Sequence, residues 1–431
     1  MIPPTDPAPR WVDQGRHRLQ ARIWHGVAVI ILLMVHLAWG LMGHHFAVEA
    51  DGAEYVQMAY NLRSLGWLTC DGIAPTVGKP PGMPAVLAAY TGIVGSLTGF
   101  HVLQLLSLFA AYLFIAAIVA RRLGLKTAIA VLLLLVAVDP LRSPASNTLT
   151  EPIFLSLTAL GMWAILKSRE ALPWKYALLA GVAFAASTYI RPVNLYWPLA
   201  LLLLALIASK ARIRAVLCLV GVYTALVAPW VFRNSMIMKR PVPFVANWGP
   251  LYAMTDEALW RTFWREGWGG IYREHRYDDL IEHQSPYNPG PAEKLRNLSW
   301  GKIETDPGAY LARCAKQSVQ VWTYVPGTHM WEWGSPIRFW LGRGMMILFY
   351  GVCFLGARSM WRRDRWFVVT ILSYVIYTAA IHFPVTTESR YLIGAYLCLL
   401  PLAAAGIARV ARRLPGGQAF LVDHPDESVT I

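Results

Sequence analysis

The sequence is dominated by apolar blocks, each about 17–22 residues long, that are separated by short charged segments. An α-helix of that length crosses a hydrocarbon core of roughly 30 Å. Apolar residues make up 56% of the 431-residue chain, whereas about 45–50% is usual in soluble globular proteins. The blocks therefore predict an all-α, polytopic membrane protein with about ten spans, within a range of about 10–12.

Clusters of Lys and Arg beside the blocks indicate which end of each span is cytoplasmic, because short cytoplasmic connections are enriched in these residues. The clusters lie within residues 16–22, 121–126, 167–175, 210–214, 358–365 and 409–413. The spans that alternate with them are predicted at 23–43, 101–120, 127–139, 152–167, 175–190, 193–209, 213–230, 337–356, 366–382 and 391–408. This arrangement places both termini in the cytoplasm. The first block is too long for a signal-peptide core and is expected to be retained.

The order of blocks and polar segments predicts the division of the chain. The regions are a cytoplasmic N-terminus (1–22), an N-terminal transmembrane module (23–230) with a first external loop (44–100), an external lobe (231–336), C-terminal transmembrane helices (337–410) and a cytoplasmic tail (411–431). Within the first loop, the apolar stretch 84–98 is interrupted by Gly92 and Gly95. It is expected to form an interfacial helix or a half-helix.

The external lobe is rich in tryptophan, which concentrates at membrane interfaces. We interpret these residues as an aromatic belt, with sugar stacking or lipid gripping as the alternative. The residues concerned are Trp248, Trp260, Trp264, Trp268, Trp300, Trp322, Trp331 and Trp333.

The net charge of +14 would suggest nucleic-acid binding in a soluble protein. Here much of the basic charge lies beside apolar blocks, so we expect no nucleic-acid partner.

Among the five cysteines, Cys70 and Cys314 fall in external segments, where an oxidising compartment permits a disulfide between them.

Asp51 and Glu54 follow the first block directly and share one face if their segment is helical. A carboxylate at this point can remove a proton from an incoming hydroxyl. Alternatively, the pair forms a capping box at a helix start. Further along the loop, Lys79 lies on a turn stiffened by Pro80 and Pro81. Its ammonium suits a lipid-linked phosphate, although an ordinary solvated turn has the same sequence.

Single arginines lie next to helix ends in the short external connections, where the topology bias disfavours them: Arg142, Arg191 and Arg390. Glu151 and Arg233 are expected at the same depth. Charges at one level on separate helices imply a polar cavity that suits acid/base chemistry on a phosphorylated substrate. The alternative is a set of interfacial ion pairs.

The ordered motifs resemble those of the GT-C glycosyltransferases, in particular the dolichyl-phosphate-mannose-protein mannosyltransferase and aminoarabinose transferase group (glycosyltransferase family 39-like). The resemblance extends over about residues 20–410 and includes matching topology. The motifs are Asp51–Tyr55, Lys79-Pro80-Pro81-Gly82, Thr150-Glu151-Pro152, Arg191-Pro192, Pro229-Trp230 with Arg233-Asn234, Asp306-Pro307 with Tyr310-Leu311, and Arg390-Tyr391.

The resemblance implies an inverting transfer from a polyprenyl-phosphate-linked sugar to a glycolipid, protein or cell-envelope glycan. It implies a site on the periplasmic side of a bacterial inner membrane. Asp51 corresponds to the first-loop catalytic aspartate and would be the general base, with Glu54 and Glu151 orienting the acceptor or the base. The expected donor-phosphate ligands are Lys79, Arg191, Arg233 and Arg390, and the expected substrate contacts are Tyr55, Asn234 and Tyr391.

One departure from the group concerns metal binding. The aminoarabinose branch carries an acidic metal ligand next to the lysine, whereas Gly78 stands there in this sequence. A divalent metal is therefore a possibility without an assigned ligand set, with His44, His45 and His329 as candidates. No P-loop or dinucleotide fingerprint is present, in keeping with a lipid-linked donor.

Two other functions fit a polytopic chain. A transporter or flippase of lipid-linked sugars would place charges and Gly/Pro breaks at the bilayer midplane. This sequence concentrates them at helix ends on one side. A non-catalytic scaffold would not require the Asp51, Lys79 and arginine set.

Overall fold

A computed structural model of the chain describes residues 10–43, 48, 51–137, 145, 147–168, 173–208, 213–273, 281, 284–323 and 336–413. Within these residues the fold is all-α and contains no β-strand. The helices are α1 (Arg10–Gly43), α2 (Asp51–Leu65), α3 (Gly82–Val94), α4 (Phe100–Leu123), α5 (Leu125–Ala137), α6 (Glu151–Lys167), α7 (Pro173–Ile190), α8 (Trp197–Ala208), α9 (Ile213–Met238), α10 (Gly249–Thr255), α11 (Glu257–Arg273), α12 (Pro289–Thr305), α13 (Pro307–Thr323), α14 (Pro336–Trp361), α15 (Arg365–His382) and α16 (Ile393–Ala411).

Each of the ten predicted spans coincides with a helix, and the chain is a polytopic helical membrane protein as the apolar blocks predicted. By length and composition, six helices of the described residues are able to cross a bilayer. Their apolar segments are His25–Met42, Phe100–Leu123, Ile213–Met238, Trp340–Trp361, Arg365–His382 and Ser389–Ala411. The other predicted spans form the shorter helices α5, α6, α7 and α8.

The apolar stretch in the first loop forms α3, a helix of 13 residues. At 1.5 Å per residue it measures about 20 Å, too short to cross the core, as expected for an interfacial or half-helix. It ends at Gly95, whose φ of 79° is the left-handed conformation common at helix C-termini. α3 packs against α2, so the loop is a small helical layer above the bundle.

The belt interpretation of the lobe tryptophans is corrected, and the disulfide that the sequence permits is not formed. Trp260 is buried and Trp264 is partly buried within the lobe of α10–α13, so these side chains serve its core instead of an interfacial belt. Trp300 is the exposed exception among the described lobe tryptophans, and Trp331 and Trp333 lie outside the described residues. Cys70 and Cys314 are both free thiols in separate clusters.

The bundle core joins α4, α6, α7 and α16 through one large apolar cluster. α14 and α16 approach most closely at Gly356 and Gly406, where an added Cβ would overlap the carbonyl groups of Leu402 and Val352. Small residues permit such close backbone contact between membrane helices. At the end of α4 that lies opposite the first loop, Arg122 forms an ion pair of 3.1 Å with Asp364, which caps α15.

The helix is interrupted between α7 and α8, and this break in the helix positions Arg191. Pro192 begins a single 3₁₀ turn, Pro192–Asn194, so the backbone carbonyls around it lose helical partners. Tyr377 donates to the Val193 carbonyl at 2.7 Å, and Tyr223 donates to the Leu195 carbonyl at 2.7 Å. Buried tyrosines on two other helices therefore supply the hydrogen bonds that these backbone carbonyls do not receive from a continuous helix.

Asn194 is the polar centre of the same break and is fully buried. Its amide donates to Thr158 and Ser187 at 2.9 and 2.8 Å, and its oxygen accepts from Tyr374 at 2.9 Å. One side chain thus joins α6, α7 and α15 beneath the site.

Asn194→Ala is expected to lower the free energy of unfolding by about 1–3 kcal/mol, because three buried hydroxyl groups lose their partner. Unfolding in mixed detergent micelles measures this change. Asn297→Ala, at an exposed position of α12, is the matched control and is expected to have no measurable effect. Equal stability of the two variants would show that the hydrogen bonds of Asn194 do not stabilise the helices around this break.

Candidate active site

The first loop presents two carboxylates from the start of α2. Asp51 and Glu54 lie in the first turn, where acidic residues are favoured by the positive helix end. Tyr55 and Met58, which follow Asp51 and Glu54 at helical spacing, are buried in an apolar cluster that α2 shares with α3. Neither carboxylate makes a cap hydrogen bond to the described backbone of α2, and both instead contact Lys79. The described contacts of this pair are therefore those of an ion-paired cluster and not of a capping box.

The turn that carries Lys79 is held against the external lobe. The amides of Val77 and Gly78 donate to the Tyr287 carbonyl at 2.9 and 3.1 Å. A Cβ at Gly78 would lie 2.7–2.9 Å from atoms of Tyr287, and one at Gly82 would lie 2.5 Å from the Tyr189 carbonyl. Both glycines are thus needed for close packing. Because Tyr287 packs against position 78, there is no space there for an acidic side chain like the one expected in the aminoarabinose branch.

Gly78→Ala is expected to weaken the loop–lobe contact and to destabilise the protein by about 1–3 kcal/mol, because the added methyl displaces Tyr287. Thermal unfolding combined with limited proteolysis of the loop measures the change. Gly301→Ala is the control, since no atom outside its own stretch of helix lies within 4 Å of its added Cβ and alanine is favoured in a helix. A Gly78→Ala variant as stable as Gly301→Ala would contradict this packing.

Lys79 is 4% exposed, and its ammonium is surrounded by negative and aromatic groups. It lies 3.2 Å from the Asp51 carboxylate and forms a short ion pair with Glu54. The rings of Tyr55 and Tyr287 have their centroids at 4.6 and 4.7 Å from Nζ. Two cation–π contacts and two carboxylates thus compensate one buried charge.

Arg191 and Arg390 converge on Glu151, at the start of α6. Glu151 is 3% exposed and lies 2.8 Å from Arg191 and 3.9 Å from Arg390. Arg390 also lies 3.6 Å from Asp51 and 2.5 Å from Glu388. Arg390 therefore links the carboxylates of α2 and α6, and charges from four distant parts of the sequence meet in one network.

Tyr391 lies among these charges and is contacted on several sides. The guanidinium carbons of Arg191 and Arg390 are 4.4 and 5.3 Å from its ring centroid. The ring of His382 stacks on it at 6.3 Å, and His382 Nδ1 donates to the Thr378 carbonyl at 2.8 Å. Because a carbonyl only accepts, Nδ1 carries a proton in this tautomer.

These groups line one cavity of about 500 Å³ at the loop end of the bundle. The predicted residues that line it are Asp51, Glu54, Tyr55, Lys79, Glu151, Arg191, Arg390 and Tyr391. The external lobe contributes aromatic residues, including Trp268, Tyr272 and Tyr287. Ion pairs hold the cavity together, but they surround an open volume, unlike a set of isolated interfacial bridges.

Local electrostatics set the protonation of the loop residues. Burial raises the pKa of the Asp51 carboxyl, but the charges of Lys79, Arg390 and Arg191 outweigh burial, so the pKa is lowered. Burial would lower the pKa of Lys79, yet its electrostatic interactions with Tyr55 and with the carboxylates of Asp51 and Glu54 raise it overall. Burial raises the pKa of Tyr55 to about 12. At neutral pH, Asp51 is therefore a carboxylate and Lys79 an ammonium.

Arg233 and Asn234 are not among the cavity-lining residues, contrary to the expectation that they bind donor phosphate and substrate. The predicted end of the seventh span near 230 is also wrong, because α9 continues past Pro229 to Met238. Arg233 donates to the Thr76 carbonyl at 2.9 Å, and the buried Asn234 donates to the Phe244 carbonyl at 2.6 Å. Both residues connect α9 to the loop and the lobe.

Metal binding stays a prediction. Among the described residues, no group of three His, Cys, Asp or Glu side chains is arranged to hold a metal ion. The candidate histidines His44, His45 and His329 lie outside the described residues, as does Arg142.

Among the aromatic and ionisable lining residues, Tyr272, Tyr287 and His382 were not identified from the sequence, and Trp268 was named only as one of the lobe tryptophans. His382 closes a predicted span and gave no signal distinct from an ordinary helix end. For the lobe residues, the only available signal was the Gly-Trp-Gly-Gly run at 267–270, where glycines interrupt an amphipathic pattern.

The fold and the cavity define a helical membrane protein with a charged, aromatic-walled site at one end of its bundle. No family model and no curated protein matches the chain. Solved structures similar to it include the crystal structures of ArnT from Cupriavidus metallidurans bound to undecaprenyl phosphate and in the apo state. The bound and apo structures share 14% and 15% sequence identity with this chain. Each match covers 91% of this chain and, respectively, 81% and 80% of the ArnT chain. The TM-scores are 0.43 and 0.42. At this level of similarity, the chemistry of the site has to be read from its own side chains.

Proposed function

We propose that the chain is an inverting GT-C-type glycosyltransferase that moves a sugar from a polyprenyl-phosphate donor to an acceptor. The observation that carries the proposal is the cavity in which Asp51 touches both Lys79 and Arg390. A proton acceptor next to two cations is what a displacement at a phosphate-linked sugar requires. The cavity lies above apolar helices, where a membrane-embedded donor presents its phosphate.

In the proposed reaction, the donor phosphate lies against Lys79 and Arg390. The acceptor hydroxyl attacks the anomeric carbon, its proton passes to Asp51, and the bond from the anomeric carbon to the phosphate oxygen breaks. The leaving polyprenyl phosphate gains negative charge, which the two cations stabilise. A single displacement inverts the configuration at the anomeric carbon.

The charges in the cavity explain how the donor would activate the base. Among the lining residues, Lys79, Arg191 and Arg390 face Asp51, Glu54 and Glu151, so the cations are already compensated. Glu151 keeps Arg191 at 2.8 Å, whereas Arg390 is 3.6 Å from Asp51. A phosphate that recruits Lys79 and Arg390 takes both partners away from Asp51. The pKa of Asp51 then rises, and it becomes a stronger proton acceptor in the complex.

Glu54 and Glu151 have different proposed tasks. Glu54 shares Lys79 with Asp51 and holds the ammonium in place when the phosphate arrives. Glu151 fixes Arg191 and approaches Arg390, and thereby positions the second cation. Tyr55 and Tyr391 support Lys79 and the arginines through their ring faces and line the volume available to substrate.

The alternative function, transport or flipping of lipid-linked sugars, is favoured less by this placement. A transporter site is expected near the bilayer midplane between helical repeats. The cavity instead lies where the first loop, the lobe and the start of α6 meet. We propose that this end faces the periplasm of a bacterial inner membrane, with a glycolipid, protein or envelope glycan as acceptor.

The proposal is tested with the purified protein in lipid nanodiscs supplied with undecaprenyl-phosphate glucose, mannose or aminoarabinose and an envelope extract. We expect one donor to be consumed, with release of undecaprenyl phosphate and labelling of one acceptor class by mass spectrometry. Parallel profiling of glycolipids and glycoproteins from cells with and without the protein identifies the natural product. Movement of intact donor across liposome membranes without sugar transfer would instead support the flippase alternative.

A further inference from the structure

The lobe wall of the cavity is built by an interruption in α11. Gly267 has φ 66° and ψ −162°, a conformation that only glycine adopts readily, and it breaks the helix before Trp268. A Cβ at Gly270 would lie 2.6 Å from Cβ of Glu266, so the next turn also requires glycine. The break lies directly beside two of the aromatic residues that line the cavity, Trp268 and Tyr272.

Trp268 and Tyr272 form a paired aromatic surface with a rigid support. Their ring centroids are 6.2 Å apart with an interplanar angle of 35°. Phe263 packs edge-on against Trp268 at 5.3 Å and belongs to the buried lobe core. Tyr272 is nevertheless 47% exposed, although it lines the cavity. A large aromatic surface is therefore held in place while part of it stays accessible.

This surface is connected to the lysine assigned to the donor phosphate. Tyr272 and Tyr287 share a side-chain hydrogen bond, and the Tyr287 ring lies 4.7 Å from the Lys79 ammonium. In a glycosyl phosphate, one oxygen joins the sugar to phosphorus, so the sugar must lie beside the phosphate site. The cationic network occupies one side of that position, and the aromatic pair lies on the side of the lobe.

We infer that Trp268 and Tyr272 form the binding surface for the sugar ring of the donor, a pyranose. The axial C–H groups of a pyranose provide an apolar patch that packs on an aromatic face, while its hydroxyls remain free for polar partners. This inference rests on the proposed function, because it takes Lys79 as the phosphate ligand. It assigns sugar selection to the external lobe and phosphate binding to the first loop.

The test separates affinity for the sugar from affinity for the phosphate. Calorimetric titration of the full-length protein in detergent micelles uses farnesyl phosphate and its glucosyl, mannosyl and galactosyl forms. For the wild-type protein, we expect at least one glycosyl form to bind more tightly than farnesyl phosphate. Trp268→Ala and Tyr272→Ala are each expected to reduce that advantage by about five- to tenfold, while the Kd for farnesyl phosphate stays within about twofold.

Matched variants distinguish stacking from a structural role. Trp268→Phe and Tyr272→Phe keep an aromatic face. They are expected to retain most of the sugar advantage, that is, the ratio of the affinity for the glycosyl form to the affinity for farnesyl phosphate. Trp300→Ala removes an exposed lobe tryptophan outside the cavity and is expected to change neither affinity.

An unchanged sugar advantage in Trp268→Ala, or an equal loss for farnesyl phosphate itself, would overturn the inference. The same holds if no glycosyl form binds more tightly than farnesyl phosphate to the wild-type protein. Failure of the proposed function has a different signature, since it is measured as the absence of sugar transfer in nanodiscs, whatever the affinities of Trp268→Ala and Tyr272→Ala. A wild-type protein that does not bind farnesyl phosphate at all would contradict the phosphate site at Lys79, and the inference would fall with it.

Discussion

Asp51→Asn is expected to lower kcat for sugar transfer by about 10²–10⁴-fold, the range typical of a lost general base. The amide has almost the shape of the carboxylate but does not accept the hydroxyl proton. It also gives up the negative charge that faces Lys79 and Arg390, at 3.2 and 3.6 Å. Binding of the anionic donor should therefore be retained or strengthened. Donor titration and single-turnover transfer in nanodiscs measure the two effects separately.

Two carboxylate-to-amide replacements accompany this variant. Glu54→Gln removes a partner of Lys79 without removing the proposed base, and we expect a smaller fall in kcat. Glu257→Gln, on the exposed surface of α11, changes pairs with Arg261 and Arg313 outside the cavity and is expected to leave transfer unaffected. Near-normal turnover by Asp51→Asn, or a larger loss in Glu54→Gln, would remove Asp51 from the role of base.

The pH dependence gives an independent measurement of the same residue. In the free protein, Lys79 and Arg390 help hold the pKa of Asp51 below its usual range. The donor phosphate is expected to engage both cations, which raises the pKa of Asp51 in the complex. Because kcat/KM reports the free enzyme and kcat the complex, the acid limb of kcat should lie at higher pH. Acid limbs of kcat and kcat/KM at the same pH would contradict the proposal that the donor phosphate draws Lys79 and Arg390 away from Asp51.

The sequence was sufficient to predict the helices and to bring together most of the charged residues that line the cavity. Apolar length determines where a helix can cross, and basic clusters determine its direction, so the ends that carry Arg191 and Arg390 had to share one level. Asp51, Lys79 and Glu151 were found for the same reason. All five of these residues line the cavity in the folded chain.

Depth alone does not specify which way a side chain faces around a helix. Arg233 was predicted at the same level, but α9 extends to Met238 and directs Arg233 to the Thr76 carbonyl. The tolerance of Pro229 inside that helix depends on its surroundings, which the local sequence does not contain. The tryptophans were ambiguous for a related reason, since only the break at Gly267 shows that Trp268 differs from the buried Trp260.

Replacing Lys79 by Gln is expected to weaken binding of polyprenyl phosphate by about 10- to 100-fold, the loss of a charge-assisted hydrogen bond to a buried anion. The replacement also leaves Asp51 and Glu54 facing each other without their shared cation. An anionic donor then meets two carboxylates, of which Asp51 keeps Arg390 at 3.6 Å whereas Glu54 has lost its ion-pair partner. The KM for donor should rise more than kcat falls, and direct titration with farnesyl phosphate measures the binding part alone.

The lobe provides a matched control for this lysine. Lys302 also pairs with a carboxylate, Asp256 at 2.5 Å, and lies over the Tyr252 ring at 4.4 Å, but it does not line the cavity. Lys302→Gln should keep donor affinity, because it removes the same charge from a carboxylate-paired lysine outside the cavity. Lys79→Arg keeps the charge but replaces a compact ammonium with a planar fork between Tyr55 and Tyr287, so we expect intermediate affinity. Equal donor affinities for Lys79→Gln and Lys302→Gln would mean that phosphate binds elsewhere, and Arg390 would then be the next cation to test.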